Sequence, residues 1–202
     1  MSKEAIALVD YGAGNLRSVE NALREVGAEV VVTHDPDVVR RSGRIVVPGQ
    51  GSMPACADAM RASGVADALV EALSRGARML GICVGLQVLF ERGEEAGGAR
   101  GLGIVPGTVA RLPPGVKLPN IGWSPVRATG SRHPIFAPLD GQYVYFAHSY
   151  AAPADAPGVE LLADHGRPYC AALARGNLFA VQFHPEKSQK VGLALLDRFV
   201  RL

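Results

Sequence analysis

The sequence predicts an α/β fold, with a mostly parallel central sheet flanked by helices and an antiparallel β-rich elaboration in the second half. In the first half, short continuous apolar runs alternate with segments whose apolar residues recur at helical spacing. Such alternation is typical of βαβ units, whose parallel strands are buried on both faces. In the second half, glycine and proline separate short apolar segments, which favours antiparallel strands on the same sheet. No linker or repeat divides residues 1–202, so we expect a single domain.

Four strands and three helical segments are predicted in the first half. The strands are Ala5–Val9, Val30–Thr33, Arg44–Val47 and Met79–Cys83. The helical segments are about 16–26, a stretch from Ser52 to about Arg75 that is broken near Gly64, and Val84–Glu91. Asn15 is the expected N-cap of the first helix and Gly27 its stop, since asparagine accepts hydrogen bonds from free N–H groups and glycine adopts the left-handed conformation.

Six strands and a closing helix are predicted in the second half. The strands are Gly103–Leu112, Ser124–Ala128, Tyr143–Tyr150, Glu160–Ala163, Cys170–Ala174 and Leu178–Phe183. The closing helix is expected over about Ser188–Val200.

Composition and charge exclude several functional classes. Of the residues, 48% are apolar, and 21 Lys and Arg face 19 Asp and Glu, so the net charge is only +2. A disordered chain would have fewer apolar residues, and a nucleic-acid module would carry a dense basic patch. No run approaches the ~18 uncharged apolar residues that span a bilayer, and the first apolar segment is too short for a signal peptide; we expect a cytoplasmic protein. The three cysteines form no Cys-x-x-Cys pair, which argues against disulfides and thiolate zinc sites.

The segment Gly81–Gly85 reads Gly-Ile-Cys-Val-Gly and joins a predicted strand to a predicted helix. The same pattern with serine is the nucleophile elbow, in which glycines allow a tight, strained turn. The following helix directs free N–H groups at Cys83, which favours the thiolate form, and the N–H of Val84 can stabilise an oxyanion. The alternative is a buried cysteine that glycines happen to flank.

His184 is the candidate base for this nucleophile. Of the five histidines, it is the one that ends an apolar strand with a carboxylate beside it, in Phe-His-Pro-Glu at 183–186. Pro185 disfavours the helical region for His184, and Glu186 can turn back to orient the imidazole. A solvated His–Glu pair is the alternative. The Pro-Cys-x-x-Cys segment of a zinc deaminase is absent from the sequence, so we predict no metal.

A glycine-rich loop, Pro-Gly-Gln-Gly-Ser at 48–52, follows another predicted strand. Parallel strands end at one edge of a sheet, so this loop should neighbour Cys83. Backbone N–H groups of Gly49, Gln50 and Gly51 would then complete an oxyanion hole. The loop lacks the Gly-Lys-Ser/Thr ending of a phosphate-binding loop.

Together, Gly-Ile-Cys-Val-Gly-Leu-Gln at 81–87 and Val-Gln-Phe-His-Pro-Glu-Lys-Ser at 181–188 resemble the class I (triad-type) glutamine amidotransferases. Segments at 10–19, 48–52 and 145–150 narrow the resemblance to glutaminase subunits of histidine biosynthesis. The resemblance covers about residues 5–200.

This resemblance implies that Cys83 attacks the carboxamide of L-glutamine, that His184 moves the proton and that Glu186 orients His184. It implies a heterodimer in which ammonia passes to a (β/α)8-barrel cyclase subunit. We predict no cofactor and no nucleic-acid or membrane partner. The implied glutamine contacts are Gln87, Gly51, Ser149, Tyr150 and Glu95, with Glu94 as a competing alignment for the last. The implied partner contacts are Trp123, Asn120 and Lys187, although a lone tryptophan is often a core residue.

Two positions depart from the family pattern. Gln50 stands where the oxyanion loop usually has a small apolar residue, and Asn120 stands where histidine or methionine is common. Three alternatives stay open: a glutaminase of another class I enzyme such as pyridoxal phosphate synthase, a stand-alone cysteine hydrolase, and a non-catalytic binding subunit. The Pro-Gly-Gln-Gly loop disfavours the first, because that family carries a Glu-Ser-Thr type segment there. The intact Cys83, His184 and Glu186 disfavour the last.

Overall fold

The computed structural model describes residues 5–12, 15–130 and 133–202. Residues 13 and 14, part of the segment 10–19 that narrows the resemblance, lie outside the described ranges. The strands, numbered in chain order, are β1 (Ile6–Val9), β2 (Val30–Thr33), β3 (Arg44–Val47), β4 (Arg78–Ile82), β5 (Phe90–Gly93), β6 (Ala99–Arg100), β7 (Val105–Arg111), β8 (Asn120–Pro125), β9 (Arg127–Ala128), β10 (Tyr143–His148), β11 (Tyr150–Ala151), β12 (Val159–Asp164), β13 (Pro168–Arg175) and β14 (Leu178–Val181). The helices are α1 (Leu16–Glu25), α2 (Pro36–Arg41), α3 (Met53–Ala62), α4 (Val65–Ser74), α5 (Val84–Gln87) and α6 (Gln189–Arg201).

The largest sheet has eight strands in the order β2-β1-β3-β4-β14-β13-β12-β9. The first five of these are parallel neighbours, and the last three join antiparallel. The parallel strands therefore end at one edge of the sheet. Tyr11, the loop 48–52, Cys83 and the segment 182–186 all follow such strand ends, which brings together residues far apart in the chain.

Two groups of helices cover this sheet. Helix α1 packs on α6, while α4 packs on α2 and α3. After β1 the chain moves to β2 at the edge of the sheet, and from β2 it returns past β1 to β3 and then to β4. Because crossovers between parallel strands are right-handed, this reversal places the two helix groups on opposite faces of the sheet. Buried apolar side chains from both groups and from the parallel strands form a continuous core. The α/β fold with a large mixed sheet is thus confirmed.

Local signals explain where the helices begin. The Ser52 side chain accepts a hydrogen bond from the N–H of Ala55 and so caps α3. Gly64, with φ of +75°, separates α3 from α4 where a break was predicted. Asn15 occupies the N-cap position of α1, but its side chain forms no capping hydrogen bond.

Several predicted elements differ from the structure. The helix expected over Val84–Glu91 ends at Gln87, because Phe90 and the next residues pair with β7 as strand β5. Helix α2 was not predicted; it is a short helix capped by the Asp35 side chain. The second half was expected on the central sheet, yet only β9, β12, β13 and β14 join it there. Two separate sheets, β10-β8 and β11-β7-β5-β6, hold the others.

Candidate active site

Cys83 lies at a strained turn between β4 and α5. Its φ is +56° and its ψ is −112°, a conformation that residues with a side chain rarely adopt. The turn is held by hydrogen bonds: the Cys83 N–H donates to the Val181 carbonyl at 2.8 Å, and its carbonyl accepts from the N–H of Leu86 at 2.9 Å. The N–H of Val84 lies in the first helical turn, where helix geometry supplies no intrahelical acceptor.

The two glycines of the turn are required by packing. A Cβ on Gly85 would lie 2.1 Å from the Val47 carbonyl oxygen, and one on Gly81 would lie 2.6 Å from the Gly85 carbonyl oxygen. Backbone atoms occupy these positions and cannot move aside as a side chain would. The predicted elbow is therefore the observed local structure.

His184 contacts both predicted members of the triad. Its Nδ1 lies 2.8 Å from Oε1 of Glu186, and its imidazole interacts electrostatically with the Cys83 side chain. The backbone of His184 is extended, with φ of −98° and ψ of 98°, as the following proline favours. Its N–H donates to the Tyr145 carbonyl at 2.9 Å, and its carbonyl accepts from the Ser188 hydroxyl at 2.7 Å.

Two equally buried histidines near this site have opposite charge preferences. Burial alone would lower the pKa of His184, but the hydrogen bonds and charges of Cys83 and Glu186 outweigh it and raise that pKa to about 10. Burial lowers the pKa of His148 to about 4, only partly opposed by its hydrogen bond to the Tyr150 carbonyl. The neighbours of His184 therefore favour its protonated form, whereas burial favours the neutral form of His148.

The loop at 48–52 packs against the elbow, and two side chains hydrogen-bond its backbone carbonyls. The Tyr11 hydroxyl donates to the Pro48 carbonyl at 2.6 Å, and the Cys56 thiol donates to the Gln50 carbonyl at 3.5 Å. Burial raises the pKa of both Tyr11 and Cys56, so both groups keep their protons and remain donors. A Cβ on Gly49 would lie 2.4 Å from the Gly85 amide nitrogen, so this glycine is interlocked with the elbow.

A cavity of about 220 Å³ opens over Cys83. Its described lining residues are Gly51, Cys83, Val84, Gln87, Glu95, Pro119, Ala147, His148, Ser149 and Tyr150. The residues expected to contact glutamine thus line one cavity together with Cys83. Its volume suits a ligand as small as a single amino acid.

The structure distinguishes Glu95 from Glu94. Glu95 lines the cavity and accepts a hydrogen bond from the N–H of Met53 at 2.8 Å. Glu94 is directed elsewhere, because its carboxylate accepts from the N–H of Arg111 at 2.9 Å.

The residues expected at a partner surface separate into two groups. Trp123 is 43% exposed, and the Lys187 ammonium lies 5.7 Å from the centre of the Tyr145 ring beside it. Asn120 is buried instead: its amide nitrogen lies 3.2 Å from His148 Nε2 and 3.2 Å from the Tyr169 hydroxyl. The side chain of Asn120 therefore faces the interior of the domain, because β8 alternates its faces.

Sequence reasoning missed four side chains that support the site, namely Tyr11, Cys56, Gln182 and Ser188. Gln182 carried one usable signal, since it is a polar residue between the apolar residues Val181 and Phe183 at a strand end. The other three bind backbone carbonyls. Tyr11 and Ser188 lie in segments on which the resemblance rests, but nothing in those segments indicates that their side chains support the site.

Two kinds of feature are absent from the part of the chain that the structure describes. No group of three or more His, Cys, Asp or Glu side chains is arranged to hold a metal ion in the described ranges. No helix there has the length and apolar character needed to cross a membrane.

Comparison with known proteins gives consistent matches. The sequence matches the family "Glutamine amidotransferase class-I" over residues 7–201. It is 44% identical to the imidazole glycerol phosphate synthase subunit HisH of Syntrophotalea carbinolica, covering 96% of this chain and 98% of that protein. It is 45% identical to the HisH subunit of Nitrosomonas europaea, covering 98% of each.

Solved structures show the same fold at lower identity. A crystal structure of a glutamine amidotransferase superposes with a TM-score of 0.75 at 20% identity, covering 97% of this chain and 99% of that one. The PurLQS structure from Thermotoga maritima gives a TM-score of 0.73 at 19% identity, covering 98% of each chain. At such identities the likeness supports the fold alone.

Proposed function

The chain belongs to the class I glutamine amidotransferases and, within them, to the HisH subunits of imidazole glycerol phosphate synthase, and on that premise we propose how its residues release and deliver ammonia. Cys83, His184 and Glu186 hydrolyse L-glutamine to glutamate and ammonia. One observation carries this proposal: the strained elbow places the Cys83 thiol against an imidazole held by a buried carboxylate, at a cavity of amino-acid size.

The reaction proceeds through a thioester. The Cys83 sulfur attacks the carboxamide carbon, and the carbonyl oxygen becomes an oxyanion facing the N–H of Val84 and the loop 49–51. The His184 imidazolium gives its proton to the leaving ammonia as the C–N bond breaks. Water, deprotonated by the neutral imidazole, then attacks the γ-glutamyl thioester. The C–S bond breaks, glutamate leaves, and the Cys83 thiolate and the His184 imidazolium are restored. No cofactor is required for these steps.

The cavity lining suits the remaining groups of glutamine. Glu95 is the carboxylate among the described lining residues and would pair with the α-ammonium group. Gln87 and the Ser149–Tyr150 segment supply polar groups around the rest of the molecule. These contacts would orient the carboxamide towards the sulfur.

Ammonia passes to a second subunit, a (β/α)8-barrel cyclase that makes imidazole glycerol phosphate and AICAR. The docking face we propose lies on β8 and β10. It consists of the exposed side chains of Ile121, Trp123 and Tyr143 and the half-buried Tyr145, with Lys187 at its edge. Ile121 is 63% exposed and Tyr143 is 58% exposed, an apolar surface typical of a protein contact. Tyr145 also binds the backbone of His184, so this face adjoins the triad.

Replacing the nucleophile tests the division of labour. In the complex with the cyclase subunit, Cys83→Ala should abolish glutamine-dependent cyclisation, because no thioester can form, and should leave ammonia-dependent cyclisation intact. Cys170→Ala is the matched control, since that cysteine is fully buried in β13. Glutamine-dependent activity in Cys83→Ala, or loss of both activities, would overturn the proposal. A fully active chain without the cyclase would instead support a stand-alone hydrolase.

Association with the cyclase tests the docking face. Trp123→Ala should weaken binding by about tenfold or more, as expected for a central aromatic residue of an interface. Val70→Ala on α4 is the control, because Val70 is also 43% exposed but lies outside β8 and β10. Equal affinities of both variants in a titration would place the contact elsewhere.

A further inference from the structure

Gln182 is a fully buried polar side chain beside the nucleophile, and the mechanism above gives it no role. It directly follows β14, and its exposed fraction is 0%. Its amide nitrogen lies 3.7 Å from the Cys83 sulfur, within hydrogen-bonding distance for sulfur, and its amide oxygen accepts from the Gln87 amide nitrogen at 3.0 Å. The side chain thus joins the sulfur to a second buried amide.

The orientation of the Gln182 amide is fixed by its neighbours. The backbone carbonyl of Tyr150 can only accept, and it lies 2.9 Å from the Gln87 amide group. The Gln87 atom at that position must be the nitrogen, and the same nitrogen contacts Gln182. Gln182 must therefore present its oxygen to Gln87 and its nitrogen to the sulfur.

A purely structural role explains Gln182 poorly. Its chain neighbours Val181 and Phe183 are fully buried and apolar, and an apolar side chain of the same length would avoid the cost of burying an amide. Among the residues that the structure describes, the amide recovers that cost through two contacts, one of which is with the Cys83 sulfur. The chemistry of the sulfur is the reason for a donor at this place.

We propose that Gln182 is a further catalytic residue, whose amide N–H donates to the Cys83 thiolate, and that Gln87 is the positioning residue that keeps this donor directed at the sulfur. The inference rests on the proposed function, in which that thiolate is the nucleophile. A hydrogen bond to an ionised acceptor is stronger than one to a neutral thiol, so the donor favours the thiolate. The protonated imidazole of His184 places a positive charge near the Cys83 thiolate, and the amide of Gln182 adds a hydrogen-bond donor that does not titrate.

Alkylation of the thiol tests this without glutamine turnover. In the full chain, Gln182→Met should raise the midpoint pH of Cys83 alkylation by iodoacetamide by about one unit, with the modified residue identified by mass spectrometry. Gln142→Met is the control, because Gln142 is exposed and should leave the profile unchanged. Gln87→Met should move the midpoint in the same direction by less, and it provides the test if Gln182→Met does not fold.

Unchanged alkylation profiles in folded Gln182→Met and Gln87→Met would overturn the inference. That failure is distinguishable from failure of the proposed function. If Cys83→Ala abolishes only glutamine-dependent activity while Gln182→Met alkylates as wild type, the glutaminase assignment stands and the role of Gln182 is wrong.

Discussion

Two strand-to-helix turns lie at the edge of the sheet near Cys83, one after β4 and one after β3, and they differ in what holds their conformation. At the elbow after β4, a Cβ on either glycine would lie within 2.6 Å of backbone atoms, so packing fixes the turn. In the loop after β3, Gly49 is interlocked in the same way, but Gly51 has φ of +96° and no atom within 4 Å of the place a Cβ would take. Cys83, the proposed nucleophile, is thus rigidly placed, while the outer half of the loop 48–52 depends on local conformation.

This difference assigns different tasks to the two turns. A nucleophile needs one fixed position over the reaction, which tertiary packing supplies at Cys83. An oxyanion donor must face a charge that exists only during the reaction, and a turn held by few contacts can adjust to it. On the inner side of the loop, the hydrogen bonds from Tyr11 and Cys56 mark where the fixed part ends.

The largest expected effect comes from the packed turn. Gly85→Ala should lower the free energy of unfolding by about 3 kcal/mol, because the new methyl group collides with the Val47 carbonyl. Urea denaturation of the isolated chain measures it. An unfolding free energy within about 1 kcal/mol of wild type would show that the elbow is less constrained than its packing indicates.

A smaller loss of stability is expected at the open turn. Gly51→Ala should cost about 1 to 2 kcal/mol, since a side chain is strained at this φ even where space is free. Its glutamine-dependent rate in the complex should fall by about tenfold or more, because the oxyanion donor is displaced.

Gly76→Ala is the control for Gly51→Ala, because it introduces the same backbone strain away from Cys83. Gly76 has φ of +93°, is exposed and also has open space where a Cβ would lie. Both variants should lose similar stability, and only Gly51→Ala should lose glutaminase activity. Equal activity in the two would remove Gly51 from the oxyanion hole.

The smallest effect is expected where one hydrogen bond supports the loop. Tyr11→Phe removes the donor to the Pro48 carbonyl and should lower the free energy of unfolding by about 1 kcal/mol. Tyr143→Phe is the control for stability, because that tyrosine is 58% exposed. If Tyr11→Phe instead raises the midpoint of thermal unfolding, the hydroxyl does not stabilise the loop.

Local patterns predicted the parts of the site that lie within one short segment. The elbow needs glycines two residues before and after Cys83, and the orienting carboxylate lies two residues after His184. Such spacings are visible in a sequence because the chain itself joins the groups. The parallel strands were equally visible, since continuous apolar runs follow from burial on both faces.

Other features could not be predicted because their partners are distant in the chain. The hydrogen bond from Tyr11 crosses 37 positions, and the contact of Gln182 with Cys83 crosses 99. Asn120 was expected at a surface, but the pairing of β8 with β10 places it beside His148. The length of α5 was likewise set by a strand pairing with β7 rather than by the propensity of Val84–Glu91.

The sequence by itself determined the fold class and indicated Cys83 as the candidate nucleophile together with the groups adjacent to it along the chain. Only the tertiary structure decided which buried groups are charged and which are donors. His148 and His184 are equally buried histidines; burial lowers the pKa of His148, whereas the Cys83 and Glu186 side chains beside His184 outweigh burial and raise its pKa. The physical reason is that electrostatic and hydrogen-bonding energies depend on distance in space, which folding alone establishes.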